Sequence, residues 1–315
     1  MEYNANTGLE NHMAYRTKPY DRRPLSPAEK ARRRRELLRK IPVGGVLLAG
    51  ATYFYMIAPK HIANAALAPF VGRNFAHRGL HTEDKKIPEN SLAAFDAACR
   101  KGYGSELDIQ LSADRKVFVF HDDTLDRVTG VPGVAEEYPW DYLSRQHLCG
   151  TDETIPLFED VLDTVDGRTP LIVEFKSTER YPELCEKALD LLLEYRERTG
   201  GEFCVESFDP RIVRWFRLNA PTIVRGQLSA PTDNLAGPNP TRLWKAECFV
   251  CAHLLENFLT RPNFIAYRVG PKPLSAVICR KLGAPLVVWT SLDPKEEETA
   301  DVVIFQFYEP KPQYQ

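Results

Sequence analysis

The stretch Gly104–Asp123, GSELDIQLSADRKVFVFHDD, holds two short β-prone apolar runs separated by a polar segment. The first run contains Glu106 and Asp108; the second ends on His121 and Asp122. Strand side chains alternate with period two, so Glu106 and Asp108 share one face. Two neighbouring carboxylates repel unless a proton or a cation compensates them. A strand buried on both faces is expected to be almost continuously apolar. Acids set inside such a strand, with a histidine closing the next, point to a reactive site rather than to a packing unit.

Outward from this stretch the same alternation of strand and helix recurs. Strand-like runs are NFAHRG (74–79), GSELDIQL (104–111), KVFVFHDD (116–123), PLIVEFKS (170–177), EFCVESFD (202–209), TIVRGQLS (222–229), NFIAYRVG (263–270), PLVVWTS (285–291) and DVVIF (301–305). Helical patterns between them include ENSLAAFDAACRKG, LCEKALDLLLEYRERTG, PRIVRWFRLN and LSAVICRKLG. In the first, Leu92, Phe95 and Cys99 fall at helical spacing and Gly102 is a stop. Such alternation predicts parallel crossovers and an α/β (β/α)8 TIM barrel. Nine runs compete for eight places, so one lies outside the barrel, with NFIAYRVG or TIVRGQLS the expected outlier. A doubly wound open sheet is the alternative, but no glycine-rich turn follows the first strand. The segment 122–156 reads as an elaborated loop near the mouth.

Ten polar residues lie within or at the ends of five of these runs: His77, Arg78, Glu106, Asp108, His121, Asp122, Glu174, Lys176, Glu206 and Ser207. In a parallel barrel the strand C-termini converge at one mouth, where residues distant in sequence meet. Glu106, Asp108 and Glu174 together suit a hard divalent cation, Mg²⁺ or Ca²⁺; the alternative is that each acid pairs with an Arg or Lys. His77 and His121 supply a general base and a general acid, with the order unassigned, although His121 before Asp122 also fits a salt-bridged or capping residue. Asp122 is expected to orient its neighbour or cap the following loop, not to bind metal. Arg78 and Lys176 suit phosphate oxygens. In IPENS, Glu89 and Asn90 face substrate or metal, or Asn90 or Ser91 caps the following helix, which leaves the acid unexplained.

The chain has 315 residues, 41 basic and 43 acidic side chains and a formal charge of −2, so nothing draws it to nucleic acid. The arginines concentrate at Arg32–Arg35 and Arg39, just before the uncharged run Ile41–Pro59. That run predicts a single N-terminal transmembrane helix, with the basic side cytoplasmic and the remainder across the cell membrane. A buried helix is one alternative; a cleaved leader fits less well, because about 40 polar residues precede the run. The expected divisions are a polar basic tail (1–40), an anchor (41–59), a linker (60–73) and a barrel domain (74–315). The seven cysteines cannot all pair internally, and CFVC (248–251) alone is a weak metal signature.

The ordered set AHRG, PENS, ELDIQLSADRKVFVFHDDTLDRVTG and LIVEFKS resembles the glycerophosphodiester phosphodiesterase family, from Asn74 to the C-terminal region. The resemblance implies a (β/α)8 barrel and metal-dependent hydrolysis of glycerophosphodiesters to sn-glycerol 3-phosphate and an alcohol. By it His77 and His121 are the acid and base pair, Glu106, Asp108 and Glu174 the metal carboxylates, Arg78 the phosphate-binding arginine and Lys176 a site lysine. It also makes Glu89, Asn90, Ser207 and Trp289 substrate-lining, with Phe208 beside Ser207. Implied partners are a small glycerophosphodiester or a lysolipid substrate, and the membrane through the N-terminal helix. The departures are C-terminal: Gln306 stands where the family often has an aspartate, and WTSLDP lacks the usual asparagine. Alternative functions are lysophospholipase D-like hydrolysis and a catalytically inactive phosphodiester-binding barrel.

Overall fold

The computed structural model describes residues 26–40 and 43–314. Nine strands follow in chain order: β1 (Asn74–Ala76), β2 (Gly104–Leu111), β3 (Val117–Val119), β4 (Leu171–Phe175), β5 (Phe203–Ser207), β6 (Arg225–Ser229), β7 (Phe264–Arg268), β8 (Leu286–Ser291) and β9 (Val302–Phe305). All but β3 pair in parallel, and β1 bonds both β2 and β9, which closes an eight-stranded barrel.

The outlier is not the expected one. NFIAYRVG and TIVRGQLS contribute β7 and β6 to the barrel, whereas KVFVFHDD forms β3, antiparallel to β2 and outside the closed ring. The reason is chain length. Only SADRK separates the two strands, and a parallel crossover needs on the order of a dozen residues or more. Ser112 closes the hairpin instead: its hydroxyl accepts from the Lys116 amide at 2.8 Å and donates to Asp114 at 2.7 Å. The hairpin turns His121 back beside β2, where the Phe120 amide bonds the Asp108 carbonyl at 3.0 Å.

Period two sorts the barrel interior into layers. Toward the strand N-termini Phe75, Ile172, Cys204, Phe264, Val287 and Val302 form one apolar cluster with Leu67 and Phe70 from the preceding segment. Two glycines make room for its rings: a Cβ at Gly104 would lie 2.4 Å from Phe75, and one at Gly226 would lie 2.0 Å from Phe264. Toward the C-termini the inward positions become Glu106, Asp108, Glu174 and Glu206, of which Asp108, Glu174 and Glu206 are in register across β2, β4 and β5. The outward faces pack under helices including Leu92–Lys101, Phe158–Val165, Tyr181–Thr199 and Pro210–Asn219. The segment 122–156 carries short helices at Asp126–Thr129 and Trp140–Leu143 and its own cluster of Phe118, Phe120, Leu125, Val128, Leu143 and Ile155.

The transmembrane expectation is overturned. Among the described residues no helix is long and apolar enough to cross a membrane. The run 41–59 yields a helix of 15 residues, Val43–Ile57, with a rise of about 22 Å against roughly 30 Å of hydrocarbon. Its end is instead tied to the barrel. Ile57 is fully buried, its carbonyl accepts from Asn257 at 2.8 Å and from the Cys279 thiol at 3.1 Å, and Arg261 donates to the Tyr55 and Ala58 carbonyls. Part of the apolarity taken for a span is thus packing surface. With the span goes the basis for a membrane partner and for an extracytoplasmic placement of the barrel. The arginine block lies in a separate helix, Pro27–Lys40, opened by a reciprocal Ser26–Glu29 capping box. Residues 1–25 of the expected tail, and Ile41 and Pro42 of the expected anchor, lie outside the described residues.

Near that helix end, Glu256 is buried with neither carboxylate oxygen partnered, and burial raises its carboxyl to about 8. The folded state therefore holds a proton that the unfolded chain releases above its ordinary value of 4.5. Stability from this group is full below that value and lost as pH rises through about 8. Glu256→Gln is expected to gain about 3 kcal/mol at pH 7 and almost nothing at pH 4. Urea midpoints at the two pH values measure this; an equal gain at both would rule out titration as its source.

Candidate active site

At the strand C-termini one cavity is lined by His77, Arg78, Glu106, His121, Glu174 and Glu206, with Phe208, Leu228, Trp289 and Ile304 on its apolar side. Glu106, Asp108 and Glu174 are all buried, and each offers an oxygen within 4.8 Å of the others. Burial, then the neighbouring acids Asp108 and Glu174, pushes the Glu106 carboxyl well above the carboxylate range. Burial also raises Glu174, against the opposing pull of Lys176. Burial alone would raise Asp108 too, but His121, Lys176 and Arg78 outweigh it and hold it low.

Two cations balance this cluster incompletely. Lys176 sits 2.8 Å from Glu174 and 3.6 Å from Asp108. Arg78 has a left-handed backbone, φ 53°, which turns its amide onto Glu106 at 3.0 Å while its guanidinium meets Glu89 at 2.6 Å and Asp108 at 3.5 Å. Glu206 adds a fourth acid, buried, with Oε2 unpartnered and its carboxyl raised by burial and by Glu174 and Asp108. Four acids against two cations, with Asp108 Oδ1 also lacking a hydrogen-bond partner, leave a deficit of positive charge. The triad could hold a divalent cation through hard oxygen ligands, and the donor set fits one.

The two imidazoles have different partners. His77 Nδ1 donates to the Gln306 Oε1 amide oxygen at 2.6 Å, and its Nε2 lies 3.9 Å from Glu106. Burial, then Arg78, lowers His77 to about 3, so the ring is neutral with an unprotonated Nε2. His121 Nδ1 instead donates to the Asp122 carboxylate at 2.6 Å. Behind Asp122 stands Arg127, which also grips Glu89.

Of the remaining expected residues, Asn90 donates to Asp108 Oδ2 at 2.9 Å, while Ser91 caps the helix, accepting from the Ala94 amide at 3.1 Å. Glu89 spends both oxygens on Arg78 and Arg127. The Ser207 hydroxyl is taken up by the Phe175 carbonyl at 2.6 Å and the Asp209 amide at 3.0 Å, away from the cavity. Phe208 and Trp289 meet edge to face at 5.5 Å in the cavity wall, with the Trp289 indole N–H buried and unpartnered. Sequence reasoning noted Glu206 without assigning it a place in the site; its register opposite Glu174 was the available signal. Gln306, directly after β9, was noted only as standing where the family often has an aspartate, and Arg127, on a short helix of the inserted segment, carried no such signal.

A model of the glycerophosphoryl diester phosphodiesterase family matches residues 77–305. A glycerophosphodiester phosphodiesterase of Bacillus altitudinis is 37% identical over 123 residues, 36% of this chain and 49% of the relative, so this chain spans about half the length of that relative. One of Caldanaerobacter subterraneus is 28% identical over 235 residues, 70% of this chain and 86% of the relative. The fold matches that of an Oleispira antarctica phosphodiesterase solved with its product sn-glycerol 3-phosphate, with a TM-score of 0.60, 21% identity and coverage of 75% of this chain and 94% of that one. The family model covers the barrel from His77, at the end of the first strand, to the end of the last, and this chain belongs to the glycerophosphoryl diester phosphodiesterase family.

Proposed function

We propose that this chain hydrolyses glycerophosphodiesters to sn-glycerol 3-phosphate and an alcohol, with residues 74–315 as the catalytic unit. The observation that carries the reading is the pair of differently partnered imidazoles lining one cavity with buried acids of the carboxylate triad. His77 is the base: its Nδ1 proton is held by the Gln306 amide oxygen, which leaves the Nε2 lone pair toward the cavity. His121 is the acid: Asp122 accepts from Nδ1 and fixes the ring, which leaves Nε2 as the atom that delivers the proton.

His77 Nε2 takes the proton of the glycerol hydroxyl next to the phosphate. The freed oxygen attacks phosphorus, and the bond to the leaving alcohol breaks as that alcohol receives the His121 proton. The resulting cyclic phosphate is opened by water with the two histidines exchanging roles. Arg78 and Lys176 hold the non-bridging oxygens, and Phe208 and Trp289 exclude water from the glycerol carbons. Glu106, Asp108 and Glu174 would hold Mg²⁺ or Ca²⁺, which supplies neutralisation of the phosphoryl charge.

The test is a panel assay of glycerophosphocholine, glycerophosphoethanolamine, glycerophosphoglycerol and a lysophospholipid, each with Mg²⁺, Ca²⁺ or EDTA. Metal-dependent release of glycerol 3-phosphate from the water-soluble diesters is expected. Turnover of the lysophospholipid alone would transfer the activity to lysophospholipase D chemistry, and turnover of none would leave a binding barrel.

A further inference from the structure

One connection in the site is left over once the acids, histidines and phosphate cations have been given roles. Arg127, on the short helix Asp126–Thr129 of the inserted segment, makes four contacts to two carboxylates. Its Nε and Nη2 reach Asp122 at 2.5 and 3.0 Å, and its Nη1 and Nη2 reach Glu89 at 2.8 and 2.6 Å. Asp122 is the partner of His121 Nδ1 at 2.6 Å, and Glu89 is the partner of Arg78 at 2.6 Å. An unbroken chain of hydrogen bonds therefore runs from His121 through Asp122, Arg127 and Glu89 to Arg78.

We infer that Arg127 is a positioning residue that couples the proton-donating arm of the site to its phosphate-binding arm. The inference rests on the hydrolytic reading above. Each carboxylate faces a choice that Arg127 removes. Without it, Asp122 has free rotation about its side chain and His121 can turn from the cavity; Glu89 has one partner in place of two, and Arg78 can swing toward the acids of β2. Half of the Arg127 side chain is exposed, and isolated exposed ion pairs stabilise folds little. A planar fork gripping two carboxylates at once restricts orientation instead, a geometry that an ammonium cannot supply. The inserted segment also gains a reason for its own apolar cluster, since Val128 beside Arg127 is buried in it and anchors the short helix at the mouth.

The experiment compares Arg127→Ala, Arg127→Lys, Asp122→Asn and Glu89→Gln with the surface control Arg198→Ala, on glycerophosphocholine with Mg²⁺ and with guanidinium added or omitted. Asp122→Asn is expected to lower kcat about 100-fold with KM near wild type, Glu89→Gln to raise KM about tenfold with kcat retained, and Arg127→Ala to show both changes. Guanidinium should restore part of both in Arg127→Ala, whereas Arg127→Lys should restore neither. Independently of turnover, the wild type should show a low-field proton resonance from His121 Nδ1, assigned by its absence in His121→Gln and lost in Arg127→Ala.

Wild-type kcat and KM in a folded Arg127→Ala would overturn the inference, as would persistence of the His121 resonance. If Arg127→Ala fails to fold, the two carboxylate variants decide: proportional changes of kcat and KM in both would deny separate arms. If the wild type turns over no diester, the hydrolytic reading falls, while loss of the resonance in Arg127→Ala still upholds the coupling.

Discussion

His121→Ala is expected to lower the turnover of glycerophosphocholine by about 10³-fold while leaving single-turnover release of p-nitrophenol from a p-nitrophenyl glycerophosphodiester within about tenfold of wild type. The difference follows from what His121 is asked to do. Choline departs as an alkoxide unless it receives a proton, whereas p-nitrophenolate is stable without one. His77→Ala removes the proton acceptor for the attacking hydroxyl and should slow both substrates by about 10³-fold. Both variants should melt near the wild type, because neither imidazole belongs to an apolar cluster. Equal sensitivity to leaving group in the two variants would reverse or abolish the assignment, and unchanged turnover in both would remove the histidines from the reaction.

Removal of divalent cations should abolish turnover, and Mg²⁺ or Ca²⁺ should raise the melting temperature of the wild type. Saturation at a hundredfold excess over Kd is worth about 2.7 kcal/mol, or roughly 5 to 10 °C for a domain of this size. Asp108→Asn should lower kcat by about 10³-fold and largely cancel the thermal gain, since it removes one of three charged ligands. Without added metal the same variant should melt below the wild type, because His121, Lys176 and Arg78 hold the Asp108 carboxylate ionised and those attractions are lost with its charge. Full activity in EDTA, or a cation-induced shift that survives Asp108→Asn undiminished, would show that the triad is balanced by Arg78 and Lys176 alone.

The parts of the site legible in the sequence are those that strand geometry carries. Glu106 and Asp108 share a face because alternation is a property of any strand, and Glu174 on β4 repeats the pattern with Lys176 just past the strand end. His77 and Arg78 follow β1 directly, so barrel closure alone brings them to the same mouth. Residues outside the strands were less legible. Glu89 and Asn90 were expected to face substrate or metal; in the fold Glu89 bonds two arginines, and Asn90 holds Asp108 through Nδ2 while its buried Oδ1 has no partner. Gln306 looked like a loss of the acid common in the family, and in the fold it is the amide that orients His77. The run Ile41–Pro59 was misjudged because uncharged composition does not tell a membrane span from a shorter helix whose last residue, Ile57, is buried in the fold.

By itself the sequence determined the strand and helix alternation, the barrel that follows from it, and the acids and histidines that strand ends carry to its mouth. These depend on local periodicity and on the rule that parallel strands end together. Only the tertiary structure decided which run leaves the barrel, what partner each histidine takes, that Arg127 joins both arms of the site, and that the apolar N-terminal helix ends against the barrel. Each depends on which distant groups come within hydrogen-bonding or packing distance, and residue type and spacing along the chain do not specify that.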